Sequence, residues 1–431
     1  MKRLAALLPK GTLLVGLGVG TLGAAAYAQL AVAGHTLPAQ EMAALAVMWS
    51  IVAAVAPGLF LPLEQEVTRL VASRRAVGDP IGPVLSKGLI AVCLACCVLL
   101  VGAWATQDWV ASLFFHGNRT MVWLTFAAIG VTAAAHATRG ALAGLGRFGW
   151  YGSQLAIDGS IRLVGTAVVA SSAMSGNVSA YAMLIALAPL VSVLCTLPPI
   201  VRSNTAGVAL PWADLSGKLG QLTASAFLNQ LMINVAVINA QLLAGPDDGP
   251  ELATALLAAM ILVRIPVFLF GAMHGALLAG ATTAVAESDR EGLRRLIRRA
   301  LIAVTAMAGA AAVVLVPLGS FLAARLFNAP SVLTWLDFLL LCLGVVAYLW
   351  AFVFGQTSVA LEQHGRQALC WMAGTVVLFA VCLLPLQVSL RVELGLVLGA
   401  FTTAALLGMG LRRSIQSAPT LTVLVPEAAA R

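Results

Sequence analysis

The chain has 431 residues, of which 61% are apolar and only 10% charged, with a mean hydropathy of +0.97. Soluble domains sit near 45–50% apolar and about 25% charged, so a water-soluble globule, a disordered chain and a disulfide scaffold are all excluded. Twenty-five Lys and Arg against seventeen Asp and Glu give a net charge of +8; in a membrane protein this asks which face holds the cations, not which nucleic acid is bound.

A helix needs about 20 apolar residues to cross about 30 Å of hydrocarbon. Twelve such runs are predicted, the first six near 11–33, 42–63, 84–106, 120–138, 153–173 and 179–201. The second six lie near 218–243, 252–280, 300–323, 334–356, 369–388 and 392–411. The first run follows Lys2 and Arg3 and is longer than a signal-peptide core, so it reads as an uncleaved helix. All seven cysteines fall inside apolar runs, where Cys93-x-x-Cys96 reads as packing and not as redox chemistry. Asn118-Arg-Thr120 and Asn177-Val-Ser179 match glycosylation sequons of a kind that arises by chance.

With the N-terminus inside, 20 of the 25 cations fall on cytoplasmic segments, among them Arg69 to Arg75 and Arg290 to Arg299. Only Arg119, Arg325 and Arg391 lie outside, so both termini are expected in the cytoplasm. The expected fold is all-α and integral to the membrane, about twelve spans in two pseudo-repeated six-helix bundles. The repeat rests on basic second-to-third loops in both halves, and on Ala141-Leu-Ala-Gly-Leu-Gly-Arg147 against Ala360-Leu-Glu-Gln-His-Gly-Arg366. The lobes are 1–201 and 218–411, with a cytoplasmic linker at 202–217 and a tail at 412–431. Arg outnumbers Lys 21 to 4 and Ala and Gly abound, as in a bacterial protein from a GC-rich genome.

No loop is large enough for a catalytic domain, and no phosphate-binding Gly-Lys-Ser/Thr loop is present. An enzyme, a cofactor and a metal site are therefore not expected. Gly144-Leu-Gly146 reads as a tight turn. Two lobes with polar residues buried between them is the plan of a secondary transporter. A charge at mid-membrane costs about 2.5–3.5 kcal/mol on insertion scales, so those present decide the sign of the cargo. Asp158 and Arg162 lie one turn apart in the fifth span, and Arg264 lies in the eighth. They form either a self-neutralised structural pair or part of a cavity. Arg264 has no acid within its own span; it faces a central cavity or bonds to carbonyls freed by Pro266. Counted so, two arginines exceed one aspartate and favour an anionic cargo, whose phosphate oxygens suit the guanidinium fork. Gln230, Asn234 and Gln241 fall along one stripe of the seventh span, flanked by Asn229 and Asn239. They either join helices or offer hydrogen bonds to a polyhydroxylated ligand. His136 and His274 read as helix glue more than as proton relays. Pro57, Pro62 and Pro266 are candidate hinges for gating.

At these residues the chain resembles the polysaccharide-type flippases of the multidrug/oligosaccharidyl-lipid/polysaccharide (MOP) exporter superfamily, which share a MATE-like fold. The carriers are Arg139-Gly-Ala-Leu-Ala-Gly-Leu-Gly-Arg-Phe148 leading into Asp158-Gly-Ser-Ile-Arg162-Leu, and Asn229-Gln-Leu-Met-Ile-Asn234 followed by Arg264-Ile-Pro266-Val-Phe-Leu-Phe. The resemblance implies a V-shaped pair of bundles in the cytoplasmic membrane that rock between inward- and outward-facing states. Its implied partners are an undecaprenyl-pyrophosphate-linked oligosaccharide, membrane lipids, a coupling H+ or Na+, and glycan polymerase or ligase machinery. On that plan Arg162 and Arg264 hold the pyrophosphate, and the amide stripe meets sugar hydroxyls. Unlike many members, the chain has no acid within 218–243, and it has fewer spans than the fourteen typical of the peptidoglycan-precursor branch. A multidrug antiporter for organic cations is the alternative, needing carboxylates where this reading finds only Asp158. A membrane glycosyltransferase or polymerase would need larger outer loops, and a major facilitator would need the signature that the second-to-third loop lacks.

Overall fold

The computed structural model describes residues 12–203, 206–207, 211–212 and 219–417. Among them run twelve helices and no strand. The first six are α1 (Thr12–Thr36), α2 (Ala39–Ala76), α3 (Gly82–Phe114), α4 (Arg119–Gly144), α5 (Phe148–Ala170) and α6 (Val178–Val201). The second six are α7 (Leu219–Val263), α8 (Ile265–Ala286), α9 (Arg290–Phe327), α10 (Trp335–Ala360), α11 (His364–Cys382) and α12 (Val388–Ser417). The expected linker at 202–217 lies largely outside the described residues, as does the tail beyond Ser417.

Among the described residues, ten segments are long and apolar enough to cross a membrane by length and composition. The expectation of twelve uniform spans needs correction in two places. The fifth, α5, falls short of that standard, because Gln154, Asp158 and Arg162 lower its apolarity. The eighth is not one helix. The backbone stays helical through the loop expected at 244–251 and breaks instead at Arg264. Proline's fixed φ is itself helical, so helical dihedrals continue through Pro250 with the loss of one hydrogen bond. At the break, Pro266 has no N–H to return to the carbonyl of Leu262, and its ring crowds that oxygen. The Arg264 carbonyl then accepts from Val267 N at 2.9 Å, a tightened turn that restarts the helix.

The basic stretches expected as loops are helix ends. Arg69 to Arg75 close α2 and Arg290 to Arg299 open α9, each a helix of 38 residues. At 1.5 Å per residue each is about 57 Å long, well beyond the roughly 30 Å of hydrocarbon. Arginine, leucine and alanine are all good helix formers, so nothing stops the helix where the membrane stops. Likewise Arg412 and Arg413 belong to α12 and not to a tail.

The surface is inverted relative to a soluble protein. Leu94, Trp104 and Val313 are 64%, 70% and 77% exposed, and the exposed residues of α3 are largely apolar. Three tryptophans lie on the two helices that meet at the 115–118 loop: Trp104 and Trp109 on α3 and Trp123 on α4. All three are exposed, and the Trp123 indole donates to Gln107 Oε1 at 3.2 Å. Cys93, Cys97 and Cys195 are exposed on helix surfaces, whereas Cys342, Cys370 and Cys382 pack inside as expected. Both sequon asparagines are helix caps: Asn118 Oδ1 accepts from Met121 N, and Asn177 Oδ1 from Ser179 N.

By contacts the chain forms two compact units, Met1–Ala258 with Leu322–Val332, and Ala259–Phe321 with Leu333–Arg431. In the first, α1 packs on α5, α2 on α4, and α4 and α5 on α6. In the second, α8 packs on α10, and α10 and α11 on α12. Three pairings therefore recur six helices later. The matched Gly-Arg stretches take part, though not with one backbone register. Gly146 has φ +67° in the turn after α4, whereas Gly365 lies inside α11 and its turn is made by Glu362 at φ +57°. Each arginine nonetheless reaches the last helix of its half. Arg147 Nη1 donates to Pro199 O on α6 at 2.8 Å, and Arg366 Nη1 to Ser414 Oγ on α12 at 3.3 Å.

Candidate functional site

In the first unit α2 and α4 touch backbone to backbone. A Cβ on Gly140 would lie 2.6 Å from Glu64 O, and one on Gly144 would lie 2.8 Å from Thr68 O. Glycines four apart leave a flat strip on which a neighbouring helix can rest. Thr68 Oγ1 fills the seam, donating to Glu64 O at 2.7 Å and to Gly140 O at 3.1 Å.

This approach buries a polar cluster of which the sequence reading singled out only His136, as helix glue. Glu64 is 7% exposed, and its Oε2 lies 2.6 Å from His136 Nδ1. Its Oε1 accepts from the Tyr151 hydroxyl at 2.8 Å, and Arg139 Nε stands 3.8 Å from Oε2. One carboxylate thus joins α2, α4 and α5. A signal was available: Glu64, His136, Arg139 and Tyr151 each sit at the end of a predicted span that the charge count places on the same face. The span boundary drawn at residue 63 hid it.

Asp158 and Arg162 do meet. Arg162 Nε donates to Asp158 Oδ1 at 2.8 Å, with the side chains 12% and 10% exposed. Gly152 and Gly159 let α5 lie against α1, since a Cβ on either would come within 3 Å of the α1 backbone. The pair is therefore held on a helix whose place is fixed by close packing.

On α7 the amide stripe is buried at Asn229, Asn234, Asn239 and Gln241, with Gln230 half-buried. Asn234 Nδ2 donates to Gln230 O at 2.8 Å and to Ala53 O at 3.4 Å. Ala53 is four residues before Pro57, so its carbonyl is the one that Pro57 cannot satisfy. Here the amide acts as helix glue and supplies a missing backbone donor. Gln241 differs: its Oε1 is buried without a hydrogen-bond partner among the described residues. Pro57 and Pro62 both lie inside the unbroken α2.

Arg264 belongs to the second unit and is 6% exposed at the break before Pro266. The side chain of His274 lies outside the described residues. In the same unit Glu393 on α12 is fully buried at 0% exposure. The count of two arginines against one acid is thereby corrected. Among the described residues Glu64, Asp158 and Glu393 are buried acids, set against Arg264 and the largely buried Arg139 and Arg162. Both buried acids of the first unit have an arginine beside them.

No protein-family profile matches the chain. Over 400 residues, 89% of this chain and 88% of the other, it is 26% identical to the uncharacterized protein Rv1510 of Mycobacterium tuberculosis (strain ATCC 25618 / H37Rv). The match to the uncharacterized protein MT1558/MT1560 of strain CDC 1551 / Oshkosh is the same. Among solved structures, it is similar to an inward-facing multidrug resistance MATE family transporter of the MOP superfamily, at a TM-score of 0.70 and 15% identity. That match covers 92% of this chain and 96% of the other. An outward-facing form matches at a TM-score of 0.65, 15% identity and 94% coverage of both chains. A MOP superfamily transporter from Pyrococcus furiosus Vc1 (DSM3638), described under the words "reverse polarity of binding pocket suggests different function", matches at 0.70, 14% identity and 94% coverage of both. With its inverted surface and apolar helices, the chain is a multi-pass membrane protein with the all-helical MATE fold of the MOP superfamily transporters.

Proposed function

We propose that the chain is an alternating-access flippase that moves a lipid-linked pyrophosphate oligosaccharide, or a related surface-glycan precursor, across the cytoplasmic membrane. The observation that carries this reading is Arg264, a guanidinium buried where a helix is interrupted between Val263 and Ile265. Interrupted helices inside a membrane are tolerated where they line a cavity or bury in protein, and transporters place their substrate sites there. The guanidinium fork binds phosphate oxygens two at a time. Arg162 gives its Nε to Asp158, and the terminal nitrogens of its five-donor fork serve a second anion. Gln241, with a buried oxygen awaiting a donor, suits a sugar hydroxyl. The recurrence of helix pairings six elements apart supports a duplicated six-helix plan with lobes 1–201 and 218–411. Polymerase or ligase machinery would take the glycan on the far side.

The test is translocation of a lipid-linked pyrophosphate glycan in proteoliposomes. Losing a charge-assisted hydrogen bond of about 1.5–3 kcal/mol, Arg264→Ala should slow transport by roughly tenfold or more, and Arg264→Lys should slow it less. Undiminished translocation by Arg264→Ala would overturn the assignment. A second reading, an organic-cation antiporter driven by H+ or Na+, is favoured by the buried acids Glu64 and Glu393. Gradient-driven efflux of an organic cation, abolished by Glu64→Gln and indifferent to Arg264→Ala, would select it instead.

A further inference from the structure

Within the second unit a groove of about 1190 Å³ runs between α9, α10 and α12. That exceeds the roughly 300–1,000 Å³ of ordinary small-molecule sites. Its two ends differ in chemistry. Thr305, Trp350 and Phe401 meet at one: the Trp350 indole donates to Thr305 Oγ1 at 2.8 Å, and its ring meets Phe401 edge-on at 5.9 Å between centroids. Eleven residues back along α9 from Thr305 is Arg294, and eleven forward along α12 from Phe401 is Arg412, with Arg298 one turn inside. All three arginines are exposed, and among the described residues no acidic side chain lines the groove. Between the ends the wall is apolar and partly open, with Ile302 62% and Met409 51% exposed.

The distance between the ends identifies the occupant. Eleven helical residues rise about 16 Å, close to the depth of one leaflet of a hydrocarbon core about 30 Å thick. A free phosphate has no use for the apolar wall, and a neutral lipid has none for three arginines. We propose that the groove binds one anionic phospholipid of the leaflet on the arginine side. Its phosphate lies among Arg294, Arg298 and Arg412, and an acyl chain lies along the wall toward Trp350 and Phe401. Cationic pockets between membrane helices bind anionic headgroups by this combination of charge and apolar burial.

Native mass spectrometry of the full-length protein in detergent tests this, with phosphatidylglycerol, phosphatidylcholine, a polyprenyl phosphate and inorganic phosphate as separate probes. One phosphatidylglycerol should bind in preference to phosphatidylcholine. Each arginine is worth about fivefold in affinity, so replacing all three by Ala should weaken binding on the order of a hundredfold. Replacing all three by Lys should retain most of it. Ala405→Trp, which fills the groove and leaves the charges, should abolish binding even if the triple alanine variant fails to fold. Equal binding of phosphatidylcholine, or an unaltered triple alanine or Ala405→Trp variant, would overturn the proposal. So would tighter binding of the polyprenyl phosphate, or inorganic phosphate binding as well as the lipid. If a chain ending at Ser417 binds phosphatidylglycerol and the full chain does not, residues 418–431 are the occupant and the proposal fails.

Discussion

Asn234 donates to the carbonyl of Ala53, the acceptor that Pro57 leaves without its helical donor. The two residues, on α7 and α2, should therefore be energetically coupled. Interhelical hydrogen bonds in membranes average about 0.6 kcal/mol and reach about 1.7, so Asn234→Leu should destabilise by that order. In a Pro57→Ala background, where the alanine N–H can reach Ala53 itself, the same change should cost less; a double-mutant cycle of unfolding free energies measures the difference. No coupling would mean that the amide and the proline act separately. The stripe of amides was legible from spacing alone, but its use was not. Whether Asn234 meets a ligand or a neighbouring carbonyl depends on which helix packs beside it, and periodicity does not say. The same holds for Arg162, whose i,i+4 partner was visible, and for Glu64, whose partners come from two other helices.

Among the elements, the glycines of α4 decide how closely it approaches α2. A Cβ at position 144 would lie 2.6 Å from the Val71 Cβ, whereas one at position 16 on α1 meets nothing within 4 Å. Gly144→Val should therefore destabilise by about 1–3 kcal/mol or more through forced overpacking. Gly16→Val should stay within about 0.5 kcal/mol, as surface changes usually do. Thermal unfolding of the detergent-solubilised variants compares them, and equal stability would mean that the α2–α4 seam can relax. The existence and order of the helices could be read from apolar runs, because burial in lipid demands length and little else. Their ends could not. The basic segments carry strong helix formers and continue as helix into water, so charge marks where hydrocarbon stops and not where the helix does. The break at Arg264 escaped notice for the opposite reason: the run from 252 to 280 carries no charged or imidazole side chain apart from Arg264 and His274, and only Pro266 signals the interruption.

Over the whole molecule, the cation count predicts that both termini face the cytoplasm. A reporter active only in the cytoplasm, fused after Arg431, should be active, and a single cysteine placed beside Asp108 should be labelled from outside by an impermeant reagent. The reverse pattern would invert the topology and with it the direction of transport. This asymmetry is legible because it is a sum over many loops, tolerant of errors at any one. The balance of buried charge is not such a sum. Two acids, Glu64 and Glu393, join Asp158 among the buried carboxylates and remove the surplus of cations, and each depended on a boundary or a depth that composition does not fix.

The three tryptophans around the 115–118 loop carry one further consequence. An indole has a flat apolar body and a single N–H, and it is most at ease where acyl chains give way to headgroups. Trp104, Trp109 and Trp123 are all presented outward, which suits that end of the helices to the bilayer's edge. A thicker or thinner membrane would then be accommodated by deformation of the lipid, or by tilt, before those rings slipped from their level.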